Sequence, residues 1–221
     1  TINNNINFIN ANKSKNISIV EINSETEVKE LKGNTAGITS VDLSNNGKYF
    51  ICGSNDTKIR LWDVSKGKEE DVFYGHTEEI ASVSYSPDNK SIASGSWDGN
   101  LKLWNVSSRK CADLYNDLGV NGVTSVAYSP DGTKIVAGCF MNQPLHLFDS
   151  HNGVKLPIFS EVNSFTHSVV YSPDGKYIMS SGDMILKLWD ASNGKLIKSF
   201  TGHKNDVEAV AISPDGRFVL S

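Results

Sequence analysis

Residues Gly75 to Asp117 read GHTEEIASVSYSPDNKSIASGSWDGNLKLWNVSSRKCADLYND and carry the pattern that identifies the fold. Apolar residues alternate in three runs within it, and the turn sequences Ser-Pro-Asp-Asn and Ser-Trp-Asp-Gly stand between the runs. Alternation with a period of two residues, broken by Pro, Asp and Gly, is typical of short antiparallel strands. We therefore predict one four-stranded antiparallel sheet over this stretch.

The same pattern recurs along the chain at a nearly constant interval. The third strand ends on Trp62-Asp63, Trp104-Asn105, Phe148-Asp149 and Trp189-Asp190, which stand 41 to 44 residues apart. A Ser-Pro-Asp-Gly type of turn recurs in phase, at 44–47, 86–89, 129–132, 172–175 and 213–216, and two units open with Gly-His. A repeat of this length with Gly-His at one end and Trp-Asp at the other resembles the WD40-repeat family. The resemblance implies an all-β propeller of four-stranded antiparallel blades.

The repeat divides residues 1–221 into units of a single domain. Residues 1–32 are predicted to supply the second, third and fourth strands of a blade, and residues 202–221 the start of another. Four complete repeats lie between them, at 33–74, 75–117, 118–161 and 162–201. A closed ring of five blades would require Ser14 and Val20 to partner His203 and Ser221. Since neither can, the resemblance favours part of a larger, seven-bladed propeller.

Composition and charge narrow the classes of partner. The chain is 38% hydrophobic and 21% charged, with a net charge of −4 and no block of lysine or arginine. These values are ordinary for a globular protein and argue against nucleic acid or an anionic membrane as the main partner. No stretch approaches the ~18 apolar residues of a membrane span.

The cysteines bear on the expected compartment. Cys52, Cys111 and Cys139 are odd in number, widely spaced and match no metal-binding pattern, which indicates reduced thiols. We expect a cytoplasmic protein, with the nucleus or a cilium or cytoskeletal assembly as alternatives.

The Gly75 unit carries four polar residues that the resemblance assigns to the blade interior: His76, Ser94, Asp98 and Trp104. An indole N–H can only donate, a hydroxyl can donate and accept, an imidazole can bridge, and a carboxylate accepts. In the order Trp104, Ser94, His76, Asp98 every polar group therefore finds a partner, which implies a structural network. Further members are predicted at Asp56, Trp62, Asp183, Trp189 and His203, with Cys52, Gly138 and Met179 at the serine position.

A Ser, a His and an Asp within one repeat also invite comparison with a hydrolase. No nucleophile-elbow sequence or oxyanion loop accompanies them, however. The histidines lack zinc-site spacing, and the glycines stand at turns rather than in a phosphate-binding loop. We expect no enzymatic activity, no metal and no cofactor.

The docking face of the family resembled is the rim formed by loops before the first strand and after the second. The residues predicted there for partner binding are Thr77, Glu79, Trp97, Met141, Phe165, Lys204 and Asp206. Trp97 is the strongest candidate, because its counterparts Asn55 and Gly182 are small or polar and tryptophan is enriched among interface hot spots. Its alternative is a side chain lying flat over the adjacent loop.

The resemblance implies a non-enzymatic scaffold that docks partner proteins or peptides on the rim, as a subunit of a larger assembly. One alternative is a reader of modified peptides or ubiquitin, which needs an aromatic cage or an acidic pocket. Another is a substrate receptor of a ubiquitin ligase. That second alternative is weakened because the positions two after each Trp-Asp pair hold Ser65, Ser107, His151 and Ser192 rather than lysine or arginine.

Overall fold

Strands account for all the regular structure in the described part of the chain. A computed structural model describes residues 7–10, 16–21, 28–32, 36–115, 122–140, 145–156, 159 and 165–221. Within these ranges no helix long and apolar enough to cross a membrane is found.

The strands form a series of antiparallel sheets in chain order. The first sheet holds β1 (Asn7–Asn10), β2 (Asn16–Glu21) and β3 (Val28–Lys32). The first blade then holds β4 (Ile38–Leu43), β5 (Tyr49–Ser54), β6 (Ile59–Asp63) and β7 (Lys68–Phe73). The second blade holds β8 (Ile80–Tyr85), β9 (Ser91–Ser96), β10 (Leu101–Asn105) and β11 (Cys111–Tyr115).

Two further four-stranded sheets and a hairpin follow. The third blade holds β12 (Val123–Tyr128), β13 (Lys134–Cys139), β14 (Leu145–Asp149) and β15 (Lys155–Leu156). The fourth holds β16 (Ser168–Tyr171), β17 (Tyr177–Gly182), β18 (Ile185–Asp190) and β19 (Leu196–Thr201). A last pair, β20 (Ala211–Ile212) and β21 (Val219–Leu220), forms its own sheet. The four-stranded sheets and the three strands within residues 1–32 agree with the prediction made from the sequence. The number of blades in a ring stays a prediction.

The Ser-Pro-Asp turn joins the first and second strands of the second, third and fourth blades as predicted, and the turn at 44–47 does so in the first. In the second blade the Ser86 hydroxyl donates to Asp88 at 2.6 Å, and the Asp88 carboxylate accepts the Lys90 amide at 3.0 Å. Asn89, at φ +60°, takes the left-handed position that glycine occupies in the third and fourth blades. The turn sequence therefore fixes its own geometry through local side-chain bonds.

The apolar core lies between consecutive blades. One cluster joins Ile51, Leu61 and Phe73 of the first blade to Ile80 and Trp104 of the second. Equivalent clusters join the second blade to the third, the third to the fourth, and the fourth to the β20–β21 hairpin. Each blade is thus stabilised by its neighbours, as in other repeat proteins.

Glycines in the second strands allow the blades to approach closely. A Cβ atom on Gly53 would lie 2.6 Å from Ile80 Cγ2, and one on Gly95 would lie 2.5 Å from Val123 Cγ1. Gly138 stands in the same relation to Thr166 of the fourth blade, at 2.6 Å. The absence of a side chain at this position lets the first strand of the next blade pack directly on the backbone.

Side chains bridge the first strands of neighbouring blades. The Val83, Val126 and Val169 amides each donate to a serine hydroxyl of the preceding blade, at 3.0 to 3.1 Å. In the same way, the Tyr85 amide of the second blade donates to Asp42 Oδ2 of the first blade at 2.7 Å. These bonds satisfy backbone donors that have no strand partner on that side.

Asp42 makes this junction sensitive to pH. Burial raises the pKa of Asp42 to about 6, although the Tyr85 and Leu43 amides that bond its carboxylate oppose the rise. Because the folded pKa lies above the unfolded value, the stability that Asp42 contributes is complete below pH ~4 and is lost as pH rises through 6. Asp42→Asn is therefore expected to match the wild type near pH 4 and to exceed its free energy of unfolding by at most about 3 kcal/mol at pH 7.

Urea unfolding of both proteins between pH 4 and 7 measures this difference. The wild type must be compared with the variant at each pH, and its own pH dependence is not enough. Burial lowers the pKa of His146 to about 4, so the contribution of His146 to stability rises with pH over the range in which that of Asp42 falls. A difference that stays constant with pH would mean that Asp42 titrates normally.

Candidate functional site

The four polar residues of the second blade form one chain of hydrogen bonds. The Trp104 indole donates to Ser94 Oγ at 2.8 Å, Ser94 Oγ lies 2.7 Å from His76 Nε2, and His76 Nδ1 lies 2.8 Å from Asp98 Oδ2. Since the indole can only donate, the Ser94 hydroxyl donates onward to Nε2, and Nδ1–H then donates to the carboxylate. Asp98 also accepts the Thr77 amide at 3.0 Å, which fixes the loop before the first strand.

The electrostatics of the chain suit a structural role. Burial of the Asp98 carboxyl raises its pKa, but the Thr77 amide and the His76 ring together outweigh this, so that the pKa of Asp98 falls below its ordinary value. The Ser94 side chain is fully buried and its oxygen already accepts the Trp104 indole proton. A nucleophile needs access to its substrate, which this hydroxyl lacks.

The fourth blade repeats the inner half of the chain. Its Trp189 indole donates to Ser180 Oγ at 2.9 Å, so the prediction of Met179 at the serine position is wrong by one residue. Asp183 Oδ2 accepts the Phe165 amide at 3.1 Å, as Asp98 accepts that of Thr77. The hairpin between Ser180 and Trp189 is one residue shorter than that between Ser94 and Trp104. Counting a fixed number of residues back from the tryptophan therefore misplaces the serine position by one.

In the third blade the corresponding hairpin is one residue longer than in the second, so the count is displaced in the opposite direction. Strand pairing sets Ala137 against His146, the register that Ser94 and Lys102 have in the second blade. Ala137, rather than Gly138, therefore occupies the serine position. Phe148 stands at the tryptophan position and is fully buried, so apolar packing holds this blade where a hydroxyl and an indole hold the second.

The first blade fixes its aspartate with a residue that the sequence reasoning missed. Arg60 donates to both carboxylate oxygens of Asp56, at 3.1 and 2.7 Å, and is itself buried. Cys52 takes the serine position, and burial raises the pKa of its thiol to about 12. The Trp62 side chain faces this thiol, which takes the place of the hydroxyl. A basic residue paired across the strands from the serine position was the signal available in the sequence.

The final unit has an exposed version of the same contact. His203 Nε2 lies 2.8 Å from Ser221 Oγ, and both residues are exposed to solvent. Clusters of three or more His, Cys, Asp or Glu able to hold a metal ion do not occur in the ranges that the structure describes.

Three aromatic side chains lie in a row across the rim, at the end of the blades where the second strands finish. Trp97 meets Phe140 edge to face, with ring centroids 5.4 Å apart, and Phe140 stacks on Phe165 at 4.7 Å. Trp97 is 38% exposed, and the two phenylalanines are half-buried. We call Trp97, Phe140 and Phe165 the strip.

Phe140 is the strip residue that the sequence reasoning missed. Its amide donates to the Gly122 carbonyl at 3.0 Å, as the Trp97 amide donates to the Glu79 carbonyl at 3.0 Å. Phe140 is thus the counterpart of Trp97, the place for which Met141 was predicted; Met141 itself lies outside the described residues. Aligning the second and third strands of each blade first, and then counting into the hairpin, would have identified Phe140.

Trp97 combines the two alternatives that its sequence position suggested. A Cβ atom on Gly122 would lie 2.6 Å from Trp97 Cε3, so the indole lies directly over the loop of the third blade. Its outer face nonetheless remains open to solvent.

The remaining predicted rim residues flank the strip. Thr77 and Glu79 are exposed beside Trp97. Lys204 and Asp206 are exposed on the following unit, where Asp206 Oδ2 lies 3.9 Å from His167 Nε2, two residues beyond Phe165. The rim therefore offers an apolar centre with charged ends.

Comparison with known proteins identifies the repeat. A family profile described as "WD domain, G-beta repeat" matches residues 25–63, 67–105, 117–140, 142–190 and 194–221. A search of curated proteins found no match.

Proposed function

We propose that this chain, which belongs to the WD40-repeat family, is a non-enzymatic scaffold that docks a partner protein or peptide on the strip. WD40 repeats generally serve as scaffolds for protein–protein interaction and typically carry no enzymatic activity. The observation that supports a docking site on this chain is the strip, in which Trp97 is exposed and Phe140 and Phe165 are half-buried.

The geometry of the strip favours an apolar anchor. Its rings contact one another at 5.4 and 4.7 Å, so they form a continuous surface instead of the separate walls of a cage around a methylated lysine. Aromatic residues held in place by packing bind a partner with little loss of conformational freedom. Trp97 is held in this way by Gly122 on one side and Phe140 on another.

Trp97→Ala is expected to weaken partner binding at least 10-fold, because truncation of an aromatic hot spot typically costs about 2 kcal/mol or more. The measurement is a selection of random 12-residue peptides on the wild-type chain, followed by fluorescence anisotropy of the enriched peptides on each variant. Phe140→Ala should weaken binding as well, since Phe140 contacts both other rings.

Tyr177→Ala is the matched control. Tyr177 is 40% exposed and lies at the opposite end of β17 from Gly182, and so away from the rim. Equal binding by Trp97→Ala and Tyr177→Ala would exclude the strip as the docking site.

A further inference from the structure

The Trp97 end of the strip carries two negative charges, those of Glu78 and Glu79. The Ser96 hydroxyl donates to the Glu78 and Glu79 carbonyls, at 3.1 and 2.8 Å, which holds both residues beside Trp97. Both glutamates are exposed, and in the described ranges neither carboxylate takes part in an ion pair or a hydrogen bond. A cation that reaches this end therefore meets a charge that no group in the described part of the chain neutralises.

The Phe165 end is different because its charges are mixed. Asp206 has His167 at 3.9 Å, and the exposed Lys204 stands two residues before it. The Asp183 carboxylate, which accepts the Phe165 amide, also lies at this end. The two ends therefore differ, because the Trp97 end carries the acidic pair Glu78 and Glu79 whereas acidic and basic side chains are mixed at Phe165.

The strip is also short. Its two centroid spacings, 5.4 and 4.7 Å, amount to a length that about three residues of an extended chain can cover. One or two apolar side chains fill it, and the next residues of the partner must lie over its ends. At the Trp97 end these residues face Glu78 and Glu79.

Resting on the proposed function of the strip, we infer that its partner is a basic and apolar peptide segment: one or two apolar side chains seated on the rings, with lysine or arginine reaching Glu78 and Glu79. The net charge of −4 on the whole chain favours the approach of such a segment. Exposed ion pairs are weak individually, so the two glutamates together are expected to change affinity about 3- to 10-fold.

Charge reversal tests the inference. Random 12-residue peptides displayed on phage are selected on the wild-type chain and on the double variant Glu78→Lys/Glu79→Lys. The wild type is expected to enrich apolar residues followed or preceded by lysine or arginine, and the double variant to enrich the same apolar residues beside aspartate or glutamate. The preference of the wild type should fade in 0.5 M salt, because exposed charges are screened.

Glu70→Lys is the control, since it reverses an exposed charge on β7 whose ion pair with Lys66 contributes little. It should keep the wild-type preference. Apolar peptides that need Trp97 but show no charge preference would overturn this inference and leave the docking site standing. An enrichment that is indifferent to Trp97→Ala would overturn both.

Discussion

Gly182→Ala is expected to lower the free energy of unfolding by about 3 kcal/mol, the upper end of the usual cost of overpacking. A Cβ atom at position 182 would lie 1.9 Å from the Phe165 carbonyl oxygen and 2.9 Å from its carbon. Backbone, unlike the end of a flexible side chain, cannot rotate away, so the loop that carries Phe165 must move. The variant should therefore lose stability and strip geometry together, measured by urea unfolding and by binding of the selected peptides.

Gly47→Ala separates this contact from the general cost of replacing glycine. Gly47 has φ +67°, but nothing lies within 4 Å of a Cβ placed there. Its replacement should cost about 1 kcal/mol through backbone strain and leave peptide binding unchanged. If Gly182→Ala were no worse than Gly47→Ala, the Phe165 loop would not be packed on the fourth blade.

Ser94→Ala is expected to cost about 2–4 kcal/mol, because it strands two buried groups. The Trp104 indole would lose its acceptor and the His76 ring its donor, and each buried group left unpaired costs about 1–3 kcal/mol. The midpoint of urea unfolding should fall while the slope of the transition stays unchanged.

Ser180→Ala offers the internal comparison. In the fourth blade Ser180 accepts the Trp189 indole, and among the described residues no histidine completes the chain. One stranded donor should cost about half as much as two, roughly 1–2 kcal/mol. Equal losses in the two variants would mean that the His76 and Asp98 half of the chain adds no stability.

The four blades reach the same architecture with different interior chemistry. The second uses the complete chain of hydrogen bonds, the first an Arg60 fork on Asp56, and the third the apolar packing of Phe148. What they share is apolar packing between neighbouring blades, and the polar network is one of several ways to fill the interior of a blade. This explains why the repeat tolerates so much variation at positions that contribute to a single blade.

The strip depends on three successive blades, each supplying one ring. Trp97 and Phe140 come from the hairpins after the second strands, and Phe165 from the loop before a first strand. Contacts between neighbouring blades fix the spacing of these loops, as shown by the closeness of Trp97 to Gly122 and of Gly138 to Thr166. Damage to the junctions is therefore expected to reach the docking surface.

Features that depend on local patterns could be predicted from the amino acids alone. Alternating apolar residues specify strands, Ser-Pro-Asp turns specify their connections, and the recurrence of both every 41 to 44 residues specifies blades. The chain of Trp104, Ser94, His76 and Asp98 was also predictable, because the family resemblance implies these four residues in the blade interior and their donor and acceptor capacity fits that order of pairing.

Features that depend on strand register and on contacts between blades could be seen only in the folded protein. The hairpin after the second strand varies by a residue between blades, so that Ser180, Ala137 and Phe140 replace the predicted Met179, Gly138 and Met141. Strand pairing is fixed by burial of one face of the sheet, and the hairpin absorbs the change in length. The contact of Trp97 with Phe140 likewise joins residues from two different repeats. The pattern within one repeat does not say which side chain the next repeat places against it.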